Sequence, residues 1–190
     1  ELDKLLGTNS IHQGIALLVE PITLYDVKSL NLNQAQTIII LDQITDPQNL
    51  GSIMRSASAF NAKTIITASK NCVKESAILA KTSSGALENI KLVEVVNINQ
   101  TIDWLKKQGY WVIGLDHNAN VYIHQYQAPE KLAIVLGSEG DGIRKLTKEK
   151  CDNLIKIPML QENSLDSLNV SIAASVALYE IFKQKIKSTQ

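Results

Sequence analysis

Thr37-Ile38-Ile39-Ile40-Leu41-Asp42-Gln43-Ile44-Thr45-Asp46-Pro47-Gln48-Asn49-Leu50-Gly51-Ser52-Ile53-Met54-Arg55 reads as a buried strand that turns into a helix. Ile38 to Leu41 is a continuous apolar, β-branched run of strand length, the pattern of a strand covered on both faces. Asp46 followed by Pro47 supplies an N-cap and a proline at the first helical position. Beyond them Leu50, Ile53, Met54 and Ala57 recur at three and four, so one helix face turns toward the strand. Gly51, Ser52, Arg55 and Ser58 make a separate stripe of small residues around one guanidinium.

The same alternation continues to the end of the chain. Strand-like runs fall at Thr37–Leu41, Lys63–Thr67, Lys91–Val96, Trp111–Leu115, Ala133–Leu136 and Leu154–Ile157. Helical stretches lie between them near Pro47–Phe60, Lys74–Lys81, Ile98–Gln108 and Ile143–Lys150, with a long last helix from about Leu168 to Ile186. Strands separated by helices of this length predict βαβ units: an α/β fold with a mostly parallel six-stranded sheet and helices on both faces. Residues 1–30 read differently. Gly14–Val19 is apolar, Glu20-Pro21 punctuates, and Leu30–Gln36 is polar. We read residues 1–30 as the tail of an upstream domain plus a linker, and 31–190 as the main domain; a simple N-terminal extension fits the composition equally.

With 190 residues, 45% apolar and 20% charged, the chain is globular in composition. No apolar run approaches the roughly 20 residues of a membrane helix. Cys72 and Cys151 show no metal or redox spacing, and two unpaired thiols without a secretion signal point to the cytosol. Net charge is zero, which excludes nucleic-acid binding by bulk electrostatics and leaves only a local patch for it. Seventeen of the cations are lysines; Arg55 and Arg144 are the only arginines. His12, His117 and His124 lack metal spacing and read as surface or linker residues, Trp104 and Trp111 as core or near-core, and Lys145–Lys150 as a solvated helix face.

Three segments concentrate candidate chemistry. In the first, Arg55 among small residues has room to meet a phosphate or a carboxylate, the alternative being an ordinary solvated arginine. The second, Ile134-Val135-Leu136-Gly137-Ser138-Glu139-Gly140-Asp141-Gly142-Ile143-Arg144, puts three glycines between a strand and a helix. Glycine permits positive φ and close backbone approach, which suits a loop wrapped on a ligand. Its spacing is G-x-x-G-x-G rather than the dinucleotide G-x-G-x-x-G, and it comes late in the chain, which disfavours a dehydrogenase. A plain strand-to-helix turn is the alternative. The third segment is Ile157-Pro158-Met159, a polar loop, then Asp166-Ser167-Leu168-Asn169-Val170-Ser171, where Asp166 or Ser167 can cap the last helix and Ala173, Ala174 and Ala177 allow close packing.

Taken in order, the three segments resemble the signature motifs of the SpoU/TrmH methyltransferases of the SPOUT class: N-x-G-x-x-x-R, L-G-x-E-G-x-G, and I-P-M followed by S-L-N-x-S. Lys81-Thr82-Ser83-Ser84-Gly85-Ala86-Leu87-Glu88 also resembles the family's S-G-A-x-E segment. The likeness covers about residues 37–185. His12-Gln13-Gly14 before an apolar stretch is similar to the domain boundary of members that methylate a guanosine ribose in 23S rRNA. One departure is clear: Leu160–Asp166 is longer than the family's turn between its last two motif halves and has no glycine.

The resemblance implies an S-adenosylmethionine-dependent RNA ribose 2′-O-methyltransferase, a SPOUT α/β knot whose C-terminal part forms a trefoil knot, and a homodimer with RNA as substrate. It implies that S-adenosyl-L-methionine is held by Leu115, Gly137, Gly140, Ile157 and Leu168. Arg55 is then the group that activates the 2′-hydroxyl, with Asn49, Glu139 and Asn169 arranging the site. Because a guanidinium is effectively never deprotonated, Arg55 is better read as an electrostatic and phosphate-orienting group, with an RNA phosphate or water taking the proton. Three other readings remain at this point. The chain could act on tRNA, it could be a non-catalytic RNA-binding protein of the same fold, or, on the glycine loop alone, a nucleotide-dependent oxidoreductase.

Overall fold

The computed structural model describes residues 2–7, 12, 14–32, 36–71, 73, 76–160 and 167–187. Its centre is one parallel sheet of seven strands: β1 (Thr37–Asp42), β2 (Thr64–Ala68), β3 (Lys91–Val95), β4 (Trp111–Leu115), β5 (Val121–Tyr122), β6 (Leu132–Gly137) and β7 (Asn153–Lys156). The spatial order is β3-β2-β1-β6-β4-β7-β5. The expected sheet had six strands. The seventh, β5, is two residues long and pairs only with β7, too short to leave a period in the sequence.

The helices are α1 (Leu2–Leu6), α2 (Pro47–Ala59), α3 (Ala77–Ser83), α4 (Ile98–Lys107), α5 (Lys145–Lys150) and α6 (Val170–Lys187). Alternate residues of each strand feed two separate cores. Ile39, Leu41, Ile65, Leu92 and Ile134 meet α2, α3 and α6 on one face, through Leu50, Ile53, Met54, Leu79, Ala174 and Leu178. Ile38, Ile40, Ile66, Val93 and Val135 meet α4 on the other, through Ile98, Ile102 and Leu105, joined by Ile143. Every position of β1 and β6 is buried, as a strand covered on both sides requires. Each such isoleucine or leucine contributes about 1.5–3 kcal/mol of transfer free energy.

Three boundaries differ from the expectation. α5 starts at Lys145 rather than Ile143, and α3 begins at Ala77 after its cap Ser76, whose hydroxyl accepts from the Leu79 N–H. α6 starts at Val170, and Ser167 is not its cap; Asp166 lies outside the described residues. Asn169 caps it, its side-chain oxygen accepting from the N–H groups of Ser171 and Ile172 at 2.9 and 3.4 Å.

Part of the N-terminal 30 residues belongs to the packed body. Tyr25 forms a parallel bridge with Val93 at the β3 edge, Ile22 packs on the first core, and Val27 and Leu30 on the second. Ile15, Leu17, Leu18 and Val19, by contrast, are exposed. Cys151 is a free thiol that burial pushes up to about 12, while Cys72 lies outside the described residues. Among the described residues no helix is long and apolar enough to cross a membrane.

Candidate active site

The three motif segments meet because the strands that precede them end side by side. β1 and β6 run in register from Thr37 against Leu132 to Asp42 against Gly137, and Leu115 of β4 pairs with Ile155 of β7. Loops leaving the carboxyl ends of neighbouring parallel strands face a common space, where ligands of open α/β sheets bind. Here that space is a cleft of about 390 Å³. Leu115, Gly137, Gly140, Ile157 and Leu168 all line it, so the structure brings the five candidate cofactor positions together. Leu136, Ile143, Ile155, Met159, Val170 and Ala173 complete apolar walls, while Asp116, His117, Glu139, Asp141 and Lys148 supply polar groups. The volume and the mix of apolar wall with a few polar groups fit a nucleoside-sized ligand.

The glycine loop is a built object. Ser138 and Gly142 exchange backbone hydrogen bonds of 3.2 and 3.0 Å, closing the turn. Gly140 and Gly142 sit at φ +92° and +67°. Gly137 has the other use of glycine: a Cβ there would stand 2.0 Å from the Gly142 carbonyl carbon, so the loop folds directly onto the strand end. Arg144 then anchors the loop. Its Nε and one terminal nitrogen donate to Oδ1 of Asp42, each at 2.7 Å, and its backbone N–H donates to Oδ2 at 3.0 Å. Asp42 is fully buried at the end of β1. A buried carboxylate needs such pairing, and a planar fork supplies it.

Asp116, which the sequence reading did not single out, follows β4 at the rim of the same cleft. Burial would raise its carboxyl. Against that, a hydrogen bond and charge from Lys148 at 2.5 Å, the Asn118 N–H at 2.9 Å and nearby His117 together hold it below the usual carboxylate range. The signal available was its place directly after a strand end. Nor are the lysines of α5 simply solvated: Lys148 pairs with Asp116, and Lys150 with Asp103 of α4 at 2.7 Å.

Asn49, Glu139 and Asn169, one from each motif segment and as far as 120 residues apart, form one hydrogen-bonded cluster. The Asn49 amide donates to Glu139 Oε1 at 3.2 Å, and the Asn169 amide donates to Asn49 Oδ1 at 3.0 Å and to Glu139 Oε1. Ser171, in the third motif but given no role there, orients Asn169: its hydroxyl donates to Asn169 Oδ1 at 2.6 Å. From Ser171 a polar ladder runs along α6 to Ser175, which hydrogen-bonds its main chain and lies 2.6 Å from the Ser56 hydroxyl of α2.

Arg55 is not in this cluster. It is exposed, and it lines a second, open cleft of about 700 Å³ between α2, α3 and α6, with Gln48, Ser52, Ser56, Lys81, Thr82, Ser84, Ser171 and Ser175. Ser171 borders this cleft and holds Asn169, while Glu139 borders the first, so the Asn49–Glu139–Asn169 cluster links the two. Two other small residues offered for close packing resolve differently. Gly51 is buried against α3, where a Cβ would stand 2.8 Å from Thr82 Cβ, and Ala173 is half-buried and lines the first cleft.

Comparison with known proteins places this geometry. The SpoU rRNA Methylase family matches residues 36–179. A Coxiella burnetii 23S rRNA (guanosine-2′-O-)-methyltransferase, RlmB, is 39% identical over 183 residues, covering 94% of this chain and 72% of its own. A Staphylococcus aureus (strain COL) protein assigned to the TrmH family of tRNA/rRNA methyltransferases is 40% identical over 182 residues, covering 93% and 73%. Among solved structures, the SpoU methyltransferase AviRb from Streptomyces viridochromogenes, in complex with AdoMet, superposes with a TM-score of 0.76 at 26% identity, over 85% of this chain and 62% of that one. The match spans all three motif segments and both clefts, and the chain belongs to the SpoU rRNA methylase family, a family of S-adenosylmethionine-dependent RNA methyltransferases.

Proposed function

We propose that the chain transfers a methyl group from S-adenosylmethionine to a ribose 2′-hydroxyl of RNA, the target being a guanosine of 23S rRNA. The observation that carries the reading is the Asn49–Glu139–Asn169 cluster, set between a nucleoside-sized cleft and an open cleft holding Arg55. The choice of rRNA guanosine leans on the Coxiella relative and on the similarity of His12-Gln13-Gly14 to the boundary region of such enzymes.

Backbone groups at Leu115, Gly137, Ile157 and Leu168 would hold the cofactor, with Gly140 leaving the loop bare toward it. When bound, the cofactor supplies a methyl group already activated on a sulfonium. The protein must then place the ribose oxygen in line and help its proton leave. Arg55 holds the substrate electrostatically, meeting a phosphate beside the target ribose. Asn49, Glu139 and Asn169 fix the boundary between the two clefts, and a phosphate or water takes the proton.

Two larger features belong to the same proposal. The order β4-β7-β5 sets β7 between two strands joined by only five residues, 116–120, so β7 lies beneath their connection; this supports the trefoil knot. Ile172, Val176 and Tyr179 recur at four and three on α6 and are exposed, an apolar face suited to a second copy in a homodimer.

The test is mass spectrometry of 2′-O-methylated nucleotides in rRNA and tRNA from cells with and without the gene. Loss at one guanosine of the large-subunit rRNA is the expected result. Loss in tRNA instead would transfer the reading to tRNA, and cofactor binding with no methyl lost in either RNA would favour a non-catalytic RNA-binding protein.

A further inference from the structure

The Arg55 cleft contains a second cation without an established part. Lys81 lies in the last turn of α3 and lines this cleft from the α3 wall, as Arg55 does from α2. Both side chains are exposed, and neither has an ion pair or hydrogen bond among the described residues. Elsewhere the cations near acids are neutralised: Lys106 pairs with Asp152, Lys148 with Asp116, and Lys150 with Asp103. Among the described residues the lining of the Arg55 cleft holds no carboxylate at all, while Ser52 and Thr82 offer hydroxyl donors not engaged elsewhere among the described residues. In a chain of zero net charge this is a local concentration of positive potential with hydrogen-bond donors around it. The contact of Gly51 with Thr82, the residue after Lys81, is what draws α2 and α3 close enough to share the cleft.

We propose that Lys81 binds a backbone phosphate of the RNA substrate, next to the phosphate met by Arg55, so that the cleft takes two successive phosphodiesters of a single strand. The proposal rests on reading the chain as an RNA methyltransferase. A lysine ammonium is a mobile point charge suited to a phosphate whose exact position varies, whereas the Arg55 fork suits a fixed one. A groove of cations and hydroxyls is how single strands are tracked without base readout.

The experiment measures binding of a short oligouridylate against salt concentration for the wild-type chain, Lys81→Ala, Lys81→Arg, and Lys107→Ala. Lys107 is an exposed lysine of α4, on the opposite face of the sheet. Lys81→Ala should weaken binding about five-fold, as one partly screened ion contact does, and reduce the slope of log affinity on log salt by about 0.7. Lys81→Arg should keep the slope, and Lys107→Ala should match the wild type. On a methylatable RNA, Lys81→Ala should raise KM with kcat and S-adenosylmethionine affinity unchanged. Wild-type slope in Lys81→Ala, or a loss of cofactor affinity or melting temperature in it, overturns the assignment of Lys81 alone. A wild-type chain that binds S-adenosylmethionine but no RNA at any salt overturns the methyltransferase reading with it.

Discussion

The side-chain oxygen of Asn169 accepts from the Ser171 N–H and hydroxyl at 2.9 and 2.6 Å, while its amide nitrogen faces Asn49 and Glu139. One side chain therefore caps α6 and closes the cluster, and the two roles can be separated. Asn169→Ser keeps a capping hydroxyl and should melt within a degree or two of wild type, yet lose most methyl transfer. Asn169→Ala should lose transfer and also about 1 kcal/mol of stability, the usual worth of an N-cap. Thermal unfolding and labelled-methyl transfer on the same three proteins make the comparison, and a fully active Asn169→Ser would remove the cluster from the chemistry. Arg55 lines the open cleft between α2, α3 and α6 and not the nucleoside-sized one. Arg55→Ala should thus abolish transfer while calorimetric S-adenosylmethionine affinity stays near normal. Arg55→Lys should also turn over poorly, because a point charge does not replace a planar fork; near-normal turnover of the lysine variant would end that role.

At the scale of elements, the glycine loop offers the sharpest test. Gly140 sits at φ +92° with open space beside it, so Gly140→Val strains the loop without touching the core. It should abolish cofactor binding by calorimetry and leave far-UV circular dichroism unchanged; wild-type affinity would reduce the loop to a turn. The β-branched strands and the capped α2 were legible in the sequence because each carries its own local period. β5 was not, being two residues held only by β7, and neither was the α6 cap, since Asp166, Ser167 and Asn169 are all competent capping types and only tertiary contacts choose among them. The site candidates were legible through family resemblance. Their grouping was not: that Arg55 stands in one cleft, the cofactor positions in another, and Asn49 between them depends on strand register. Asp116 and Lys148 escaped notice because an isolated acid and a lysine-rich helix look solvated until the fold brings them within 2.5 Å.

For the molecule as a whole, two quantities follow. Asp116 has a folded pKa below its unfolded value, so its stabilising contribution is complete above the ordinary carboxylate range and is lost as pH falls through the lowered folded value. Urea unfolding should show Asp116→Asn less stable than wild type by about 1.5–3 kcal/mol near neutrality, with the gap closing below about pH 4; a gap independent of pH would mean that the Lys148 pair adds nothing. Light scattering should find a dimer that Val176→Glu together with Tyr179→Glu converts to a monomer, and an unaffected dimer would place the interface elsewhere. The tie between Asp42 and Arg144 also has a consequence in time. The two residues lie 102 positions apart, and at about 5–20 residues per second the ribosome needs roughly 5–20 s to travel between them. For most of that interval β1 has no β6 to pair with, and until its end the Asp42 carboxylate lacks the Arg144 guanidinium. The nascent chain must carry an isoleucine-rich strand with an open edge until its distant neighbour emerges, and it is in those seconds that aggregation competes with folding.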